Sequence, residues 1–311
     1  LLPVLNSAVL RFSGHSVITK ALKMTDIAPY MQDPKIVQNI KDFEAYCKTE
    51  DASAQPGSPA LFESYLSRYA DKVGDIINTF IPAGSHPDMD KYLYAPLMKY
   101  SQNGGKRHRP LICVAACAAV GGDIRRAFSA AAAIEHFHTA ALIHDDIADE
   151  ASLRRGEPCM HLTQGEGLAI NAGDLALSIV RDPLLSDSMK VRVAIELVSM
   201  AQSTVEGQAL DIGWARDGRY DITPEDYLVM ATHKTAHYSG AVPLAVGAMV
   251  GGGSEEQVEA LRAYGLDTGL AFQIQDDLLN LVGTKEAKEK DYRSDITEGK
   301  RTLVVVHALQ N

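Results

Sequence analysis

The stretch HTAALIHDDIADEASLRRG, residues 138–156, places an acidic cluster at the end of a long apolar segment. Asp145 and Asp149 are spaced i, i+4, so in a helix both carboxylates lie on the same side, with Asp146 beside them. Alone, such a cluster is more often a solvated acidic helix face. Here the flanking residues are apolar, so the charges need cationic partners. Carboxylates at this spacing suit Mg²⁺, which also takes water and phosphate oxygens.

The rest of the chain reads as helices. Residues 126–144, 190–212 and 255–283 are long apolar-periodic segments with few internal Gly or Pro residues. Their length favours helices over strands. Aromatic residues make up only 6% of the chain, and no regular strand-like alternation is present. We therefore predict an all-α fold.

A short linker divides the chain into two parts. Asp51–Pro59 reads DASAQPGSP, a run rich in Ser, Pro and Ala. We predict that residues 1–56 form an N-terminal extension and linker of unknown role. Residues 57–311 then form one domain.

Charge and composition exclude several classes of protein. Forty acidic against thirty basic residues give a net charge of −10, which argues against nucleic-acid binding. No apolar run is long enough to predict a membrane-spanning helix. Four cysteines in 311 residues do not form a disulfide framework, and Cys113 and Cys117 are predicted to be buried thiols. The default expectation is a reducing, cytoplasmic location.

A second acidic cluster repeats the pattern. Asp276, Asp277 and Asn280 occur in LAFQIQDDLLNLVG, again within an apolar helical segment. Two such clusters are much less readily explained as solvated faces than one. We infer that two helices project carboxylates into one cavity and hold Mg²⁺ ions, whose coordination is completed by phosphate oxygens.

Cations are spaced through this acidic chain. GGKRHRP, residues 104–110, brings three basic residues to the start of an apolar helix, a place suited to anions. Alone, it would more often be a basic surface turn. Further basic positions are Arg154, Arg155, Lys234, Lys290, Lys300 and Arg301. Together the acids and bases fit two diphosphate sites, one bridged by metal and one bound directly by Arg and Lys.

These motifs resemble those of the trans-isoprenyl diphosphate synthases, which include geranylgeranyl and polyprenyl diphosphate synthases. The resemblance runs from about residue 61 to residue 302. Members of the family usually continue for further helices after GKRT, so the resemblance implies that the C-terminal helices of this domain are incomplete. Besides the motifs above, it rests on GQALD at Gly207–Asp211, the Lys234-Thr235 pair, and Lys290-Asp291 followed by DITEGKRT. It implies an antiparallel helical bundle around a deep central cavity, a homodimer, and Mg²⁺-dependent condensation of isopentenyl diphosphate with an allylic diphosphate.

The resemblance also implies roles for individual residues. Three Mg²⁺ ions would be held by Asp145, Asp149 and Asp276, with Asp146 and Asp277 in support. The allylic diphosphate would be bound by Arg154, Lys234 and Lys290. Isopentenyl diphosphate would be bound by Gly105, Lys106, Arg109, His138 and Arg155. Thr235 and Gln273 would face the reacting carbons, and Gln208 and Asp211 would line the site.

Product length depends on the residues before the first acidic cluster. In the family, bulky aromatic residues there stop growth at fifteen carbons, whereas this chain has Ala140 and Ala141. Phe137 lies one turn deeper, and a turn of about 5.4 Å is close to one isoprene unit. Phe137 is therefore either a floor that gives about twenty carbons or ordinary core packing; if it turns aside, the product is longer.

Other functions remain as alternatives. A class I terpene cyclase shares the acidic motif, and a head-to-head synthase of the squalene type is related, but GGKRHRP argues against both. A non-catalytic regulatory subunit would tend to lose one acidic motif, and this chain keeps both. A purely structural helical protein would leave the spacing of acids and bases unexplained.

Overall fold

The computed structural model describes residues 59–179, 186–282 and 294–310, which are predominantly helical. The prediction of an all-α fold is confirmed. The predicted extension of residues 1–56 and Lys290 lie outside the described residues. None of the described helices is both long and apolar enough to cross a membrane.

The helices are numbered in chain order. They are α1 (Pro59–Asn78), α2 (Pro87–Met89), α3 (Ala95–Gln102), α4 (His108–Ala119), α5 (Phe128–Ala148), α6 (Met160–Gln164), α7 (Glu166–Ser178), α8 (Asp187–Arg216), α9 (Pro224–Ala231), α10 (Val242–Val250), α11 (Glu255–Val282), α12 (Ser294–Thr297) and α13 (Leu303–Gln310). Two π-helical segments, Asp90–Tyr94 and Thr232–Ala241, and a 3-10 turn, Ile124–Arg126, join some of them.

Helix α5 is the central helix of the core. Its sequence is rich in alanine, the strongest helix former, and contains no Gly or Pro. It is apolar on nearly every side, so it is stable only when other helices surround it. Its N-terminal half packs with apolar residues of α1, α4 and α10. Its C-terminal half packs against α7 through small residues that include Ala140 and Ala172.

Glycines allow the π-helical segment Thr232–Ala241 to lie very close to two long helices. A Cβ atom on Gly207 of α8 would lie 2.2 Å from the backbone nitrogen of Lys234. A Cβ atom on Gly240 would lie 2.0 Å from the carbonyl oxygen of Gly265 in α11. Residues with a β-carbon are excluded at both contacts. The motifs on α8, the π-helical segment and α11 are thereby brought together.

A small hairpin follows α5 and was not predicted. Strand β1 (Leu153–Arg154) pairs antiparallel with β2 (Glu157–Pro158). Its two turn residues, Arg155 and Gly156, have φ angles of 53° and 79°. Positive φ at both central positions is typical of a type I′ turn, whose twist matches that of a hairpin. Two-residue strands are too short to show the alternation that identifies strands in a sequence.

Buried thiols pack within α4, as predicted. Cys113 and Cys117 are buried free cysteines. Burial raises the pKa of both thiols, to about 12 in Cys117. Their place is in the core against α5 and α10.

Candidate active site

The first acidic cluster lies at the C-terminal end of α5, where side chains from other parts of the chain meet it. The Asp145 carboxylate accepts a hydrogen bond of 2.9 Å from the Gln208 side chain of α8. Asp149, the residue that ends the helix, accepts one of 2.9 Å from Lys300. Both aspartates are partly buried. Each of these charges therefore has a polar partner within the protein.

Asp146 points the other way, into the protein, and its side chain is only 1% exposed. One carboxylate oxygen accepts a hydrogen bond of 3.0 Å from the hydroxyl of Tyr100 on α3. The other accepts one of 2.7 Å from Nε of Arg154 on β1. Burial, followed by the charge of Asp146, raises the pKa of Tyr100. The Asp146 carboxylate thus holds the Arg154 guanidinium in place, and the Tyr100 hydroxyl holds the carboxylate in place.

The cations of this region set the charge state of the acids. Burial favours the neutral form of Asp145, but Lys234, Lys300 and Arg154 outweigh it and lower its pKa. Burial and the neighbouring Asp145 raise the pKa of Asp149. Burial would lower the pKa of Lys300, but the surrounding acids raise it. The acidic and basic side chains of this cluster therefore stabilise each other's charged forms. Metal ions and anionic ligands can replace these partners.

Lys234 joins this network from the π-helical segment. It donates a hydrogen bond to Asp211 of α8, whose side chain is 5% exposed. The attraction of Asp211 and Asp145 outweighs burial and raises the pKa of Lys234. The close backbone approach at Gly207 makes this contact between the two elements possible. The GQALD motif therefore contributes a glycine for packing as well as Gln208 and Asp211.

The second acidic cluster, on α11, shows the same division into one outer and one inner aspartate. Asp276 is exposed and Asp277 is buried. Asp277 accepts hydrogen bonds of 2.7 Å from the Tyr227 hydroxyl of α9 and of 2.7 Å from the Gln273 amide. Burial raises the pKa of Asp277, and these two bonds offset part of that effect. The Gln273 oxygen accepts from the Thr235 hydroxyl, so the predicted pair Thr235 and Gln273 is in contact.

A separate cationic pocket forms where α4 begins. Arg109 is buried and donates to the Ser239 and Tyr238 hydroxyls at 2.7 and 3.1 Å. Its guanidinium lies 4.5 Å from the centre of the Tyr238 ring. His138 stacks on the same ring, with ring centres 5.8 Å apart. Burial, followed by the charge of Arg109, lowers the pKa of His138 and favours the neutral form of its ring.

The loop before α4 brings the other predicted residues to this pocket. Gly105 has a φ angle of 113°, and a Cβ atom there would lie 2.9 Å from the Arg155 guanidinium. Arg155 donates to the Gly104 carbonyl oxygen at 2.9 Å. Burial, and then the charge of Arg107, lowers the pKa of Arg155. Lys106 is exposed at the edge of the loop.

A buried ion pair lies behind this pocket. Arg107 donates to Glu135 of α5 at 2.6 Å, and the two side chains are 5% and 3% exposed. Arg107 also donates to the Ser101 carbonyl oxygen. Its φ angle of 49° turns the chain into α4. The pair anchors the loop that carries Lys106 and Arg109.

Of the residues predicted to set product length, Phe137 and Ala141 lie one turn apart on one side of α5, and Ala140 faces α7. Phe137 is buried, and its ring meets the Tyr238 ring edge-on with centres 5.7 Å apart. Ala140 is fully buried against α7. Ala141 is partly buried and lies one turn before Asp145, on the same helix face.

Several residues of the site, among them Tyr100, Tyr227 and Lys300, carried no clear signal in the sequence. Tyr100 and Tyr227 lie far along the chain from the aspartates that they contact, and Lys300 follows a turn. Only Lys300 was noted, as one of several spaced cations. The contacts depend on tertiary packing, which a single sequence does not display.

The donor set fits a hard metal ion that is also bound by a ligand. Among the residues that the structure describes, no three His, Cys, Asp or Glu side chains form a group that could hold a metal ion. Asp145, Asp149 and Asp276 offer oxygen atoms only. Mg²⁺ is usually held by one or two carboxylates together with substrate phosphates and water, so these residues fit it.

Comparison with known proteins identifies relatives with this arrangement of helices. A family model described as polyprenyl synthetase matches residues 90–311. A short chain isoprenyl diphosphate synthase from Methanothermobacter thermautotrophicus is 46% identical over 210 residues, which are 67% of this chain and 64% of that enzyme. This chain thus spans slightly less than two thirds of that relative.

Two crystal structures of geranylgeranyl pyrophosphate synthases are similar in fold to most of this chain. The enzyme from Pyrococcus horikoshii has a TM-score of 0.72 and 34% identity, covering 81% of this chain and 76% of its own. The enzyme from Corynebacterium glutamicum, complexed with isoprenyl diphosphate and magnesium, has a TM-score of 0.71 and 32% identity, covering 79% and 77%. The resemblance found in the motifs is confirmed, and the chain belongs to the polyprenyl synthetase family.

Proposed function

We propose that this chain catalyses the Mg²⁺-dependent, head-to-tail condensation of isopentenyl diphosphate with an allylic diphosphate, to give a linear trans-prenyl diphosphate. The observation that carries the proposal is the presence of two neighbouring anion sites of different chemistry. One combines carboxylates with Lys234, Lys300 and Arg154. The other is the cationic pocket around Arg109. Two diphosphate substrates, one held through metal ions and one held directly, match this pair.

The allylic diphosphate occupies the first site. Asp145, Asp149 and Asp276 would hold Mg²⁺, for which we propose three ions, and the bound metal would supply positive charge that stabilises the departing diphosphate. Arg154 and Lys234 contact the same group, and Lys290 joins them by analogy with the family. Lys300, bonded to Asp149, is close enough to contribute. Fixed cations in a partly buried site stabilise a developing negative charge more strongly than water does.

Isopentenyl diphosphate occupies the cationic pocket. Arg109 and Arg155 bind its diphosphate, with Lys106 at the edge and Gly105 allowing a close backbone approach. Within the described part of the chain, Nδ1 of His138 is buried without a hydrogen-bond partner, so it is available to a ligand. The two substrates are then held with their reacting carbons near each other, which removes much of the entropic cost of the reaction.

The linked pair Thr235 and Gln273 faces the reacting carbons, and Gln208 and Asp211 line the site. The allylic carbon–oxygen bond breaks, and the double bond of isopentenyl diphosphate attacks the resulting cation. A proton is then lost, and the departing diphosphate is the base that accepts it. Apolar walls exclude water, which would otherwise quench the cation.

We propose a product of about twenty carbons or longer. Ala141 leaves room on the helix face below Asp145, and Phe137 lies one further turn, about 5.4 Å, away. The contact between Phe137 and Tyr238 supports a wall at that depth. The burial of Phe137 within the core is equally compatible with ordinary packing.

We further propose a homodimer formed through α8. Seven exposed positions follow an unbroken four-three spacing along this helix: Val191, Ile195, Val198, Gln202, Val205, Ala209 and Ile212. Val198 and Val205 are 68% and 67% exposed. This spacing keeps one stripe facing a partner helix over ~32 Å. A second copy offers the same stripe, as a two-fold interface requires.

A product assay tests the proposed activity. The purified chain receives labelled isopentenyl diphosphate with allylic primers of five, ten or fifteen carbons, with and without Mg²⁺. We expect Mg²⁺-dependent linear products, and none from the Asp145→Asn variant. Formation of a cyclised hydrocarbon from the primer alone would favour a terpene cyclase. No product from folded protein would favour a non-catalytic subunit, whose activity would appear only with a partner chain.

A further inference from the structure

The two acidic motifs share a feature beyond their spacing. In each, the second aspartate is buried and accepts a hydrogen bond from a tyrosine on a separate helix. Tyr100 of α3 bonds Asp146 at 3.0 Å, and Tyr227 of α9 bonds Asp277 at 2.7 Å. The two tyrosines come from unrelated places in the chain, so the arrangement has arisen twice in one molecule.

The first of these contacts leads to the allylic diphosphate site. The Tyr100 hydroxyl donates a hydrogen bond to Oδ2 of Asp146, and Arg154 donates one to Oδ1 of the same carboxylate. Because each oxygen is engaged, the plane of the carboxylate is fixed, and the guanidinium of Arg154 is fixed with it. Asp146 also carries the backbone oxygen that accepts from Ala151, where the chain turns toward the hairpin.

The second contact leads to the residues that face the reacting carbons. The Tyr227 hydroxyl donates a hydrogen bond to Oδ2 of Asp277, and the Gln273 amide nitrogen donates one to Oδ1. The Gln273 oxygen in turn accepts from Thr235. The amide of Gln273 is thereby held in one orientation, with its nitrogen toward Asp277 and its oxygen toward Thr235.

We propose that Tyr100 and Tyr227 are positioning residues that act through Asp146 and Asp277, Tyr100 on Arg154 and Tyr227 on the pair Gln273 and Thr235. In this arrangement the first aspartate of each motif serves the metal, and the second orients a group that touches substrate. The inference rests on the proposed function, because it assigns separate kinetic roles to two parts of one site.

Removal of each hydroxyl has a different expected effect. Tyr100→Phe loosens Arg154, so KM for the allylic diphosphate rises by about three- to tenfold, while KM for isopentenyl diphosphate stays unchanged. Tyr227→Phe loosens Gln273 and Thr235, so kcat falls by about three- to tenfold with both KM values unchanged. Tyr220→Phe, which removes a hydroxyl from a ring that is 68% exposed, is the matched control and leaves all parameters as in the wild type.

A binding measurement separates positioning from a merely structural role. Calorimetry with inorganic diphosphate and Mg²⁺ is expected to show weaker binding to Tyr100→Phe and unchanged binding to Tyr227→Phe. Loss of folded protein with unchanged KM and kcat per folded molecule would mean that the tyrosines only stabilise the fold, and would overturn the proposal. So would an equal change in both KM values in either variant.

A double-mutant cycle tests the coupling itself. Arg154→Lys keeps the charge but loses the forked contact with Asp146. The combined variant with Tyr100→Phe is expected to raise the allylic KM by less than the product of the two single effects, because both act through Asp146. Multiplicative effects would contradict the relay.

Two further variants guard against misfolding of the phenylalanine variants. Asp146→Asn and Asp277→Asn interrupt the same two relays at their centres, and normal kinetics in either would overturn the proposal. An inactive wild-type chain would instead reject the proposed function. An active wild type with unaffected tyrosine variants rejects only this inference.

Discussion

At the scale of single residues, the buried pair Arg107 and Glu135 shows how a binding loop is held from behind. Both side chains are almost fully buried. Arg107 immediately precedes α4, follows Lys106 in the sequence and lies close to Arg155. A carboxylate behind several gathered cations reduces their mutual repulsion. The pair therefore links the charge of the pocket to the conformation of the loop.

Glu135→Gln is expected to raise KM for isopentenyl diphosphate by about tenfold, because a charge-assisted hydrogen bond to Arg107 is lost. It is also expected to lower stability by about 3–5 kcal/mol, because a buried charge loses its partner. Substrate kinetics and urea unfolding measure the two effects. Glu196→Gln is the control, since it breaks an ion pair between α8 and α11 at Arg262, away from both sites.

The double variant Arg107→Met/Glu135→Leu separates the two effects. Replacing a buried ion pair by apolar residues is often neutral for stability. We therefore expect stability to recover while KM for isopentenyl diphosphate remains raised. Recovery of a normal KM would show that the pair stabilises the protein without orienting the loop.

Product length also belongs to this scale. Ala141→Phe is expected to shorten the main product by about one isoprene unit, because its ring fills about one helical turn below Asp145. The measurement is chromatography of the dephosphorylated products. Ala140→Phe is the comparison: Ala140 is fully buried against α7, so overpacking is expected to cost ~1–3 kcal/mol of stability. An unchanged product from folded Ala141→Phe would contradict this account of the cavity.

At the scale of elements, the long helices could be predicted and the hairpin could not. The segments 126–144, 190–212 and 255–283 correspond to α5, α8 and α11. Their ends differ by a few residues because capping decides them: Ser186, for example, accepts from the Met189 backbone and starts α8 three residues early. Hydrophobic periodicity identifies a helix in the sequence. A hairpin of two-residue strands shows no such pattern, because tertiary contacts stabilise it.

The exposed stripe of α8 gives a prediction about assembly. Val198→Glu/Val205→Glu places four like charges across a two-fold interface, and we expect the dimer to dissociate to monomers. Sedimentation velocity measures the change. Ala260→Glu/Ala263→Glu, at exposed positions of α11, adds the same charge elsewhere and is expected to leave the dimer intact. A monomeric wild-type chain would reject the interface.

At the scale of the whole molecule, buried histidines tie stability to pH. His136 is fully buried in α5, and burial lowers its pKa to about 4. In the unfolded chain the pKa is about 6.5, so between these values only the unfolded state takes up the proton. Stability is therefore expected to fall as the pH drops from about 6.5 toward about 4.

His136→Met tests this dependence. Between pH 7 and pH 5, the wild type is expected to lose about 2 kcal/mol more than the variant, which has no proton to take up at this position. Urea unfolding at the two pH values measures the difference. His86→Gln changes an exposed histidine and serves as the control. Equal losses in wild type and His136→Met would contradict the assignment.

Only those features of the candidate site that are visible in local sequence patterns could be predicted. Spacing identified Asp145 and Asp149, and flanking apolar residues indicated burial. Spacing did not reveal that Asp146 would accept a hydrogen bond from Tyr100, or Asp277 from Tyr227. These contacts join helices that are distant in the chain. Local patterns identify charged groups, whereas their partners are fixed by the way the helices pack.

The hairpin after α5 has a consequence for how two ligands communicate. Consecutive residues of the hairpin reach different places: Arg154 donates to Asp146 beside the proposed allylic diphosphate site, and Arg155 donates to the loop of the proposed isopentenyl diphosphate site. A ligand that orders the hairpin from one side lowers the entropic cost of ordering it from the other. The affinities should then be linked, each ligand tightening the other by the same factor, as thermodynamic reciprocity demands. Because Arg154 and Arg155 are adjacent in the chain, the hairpin would make binding at the two sites cooperative.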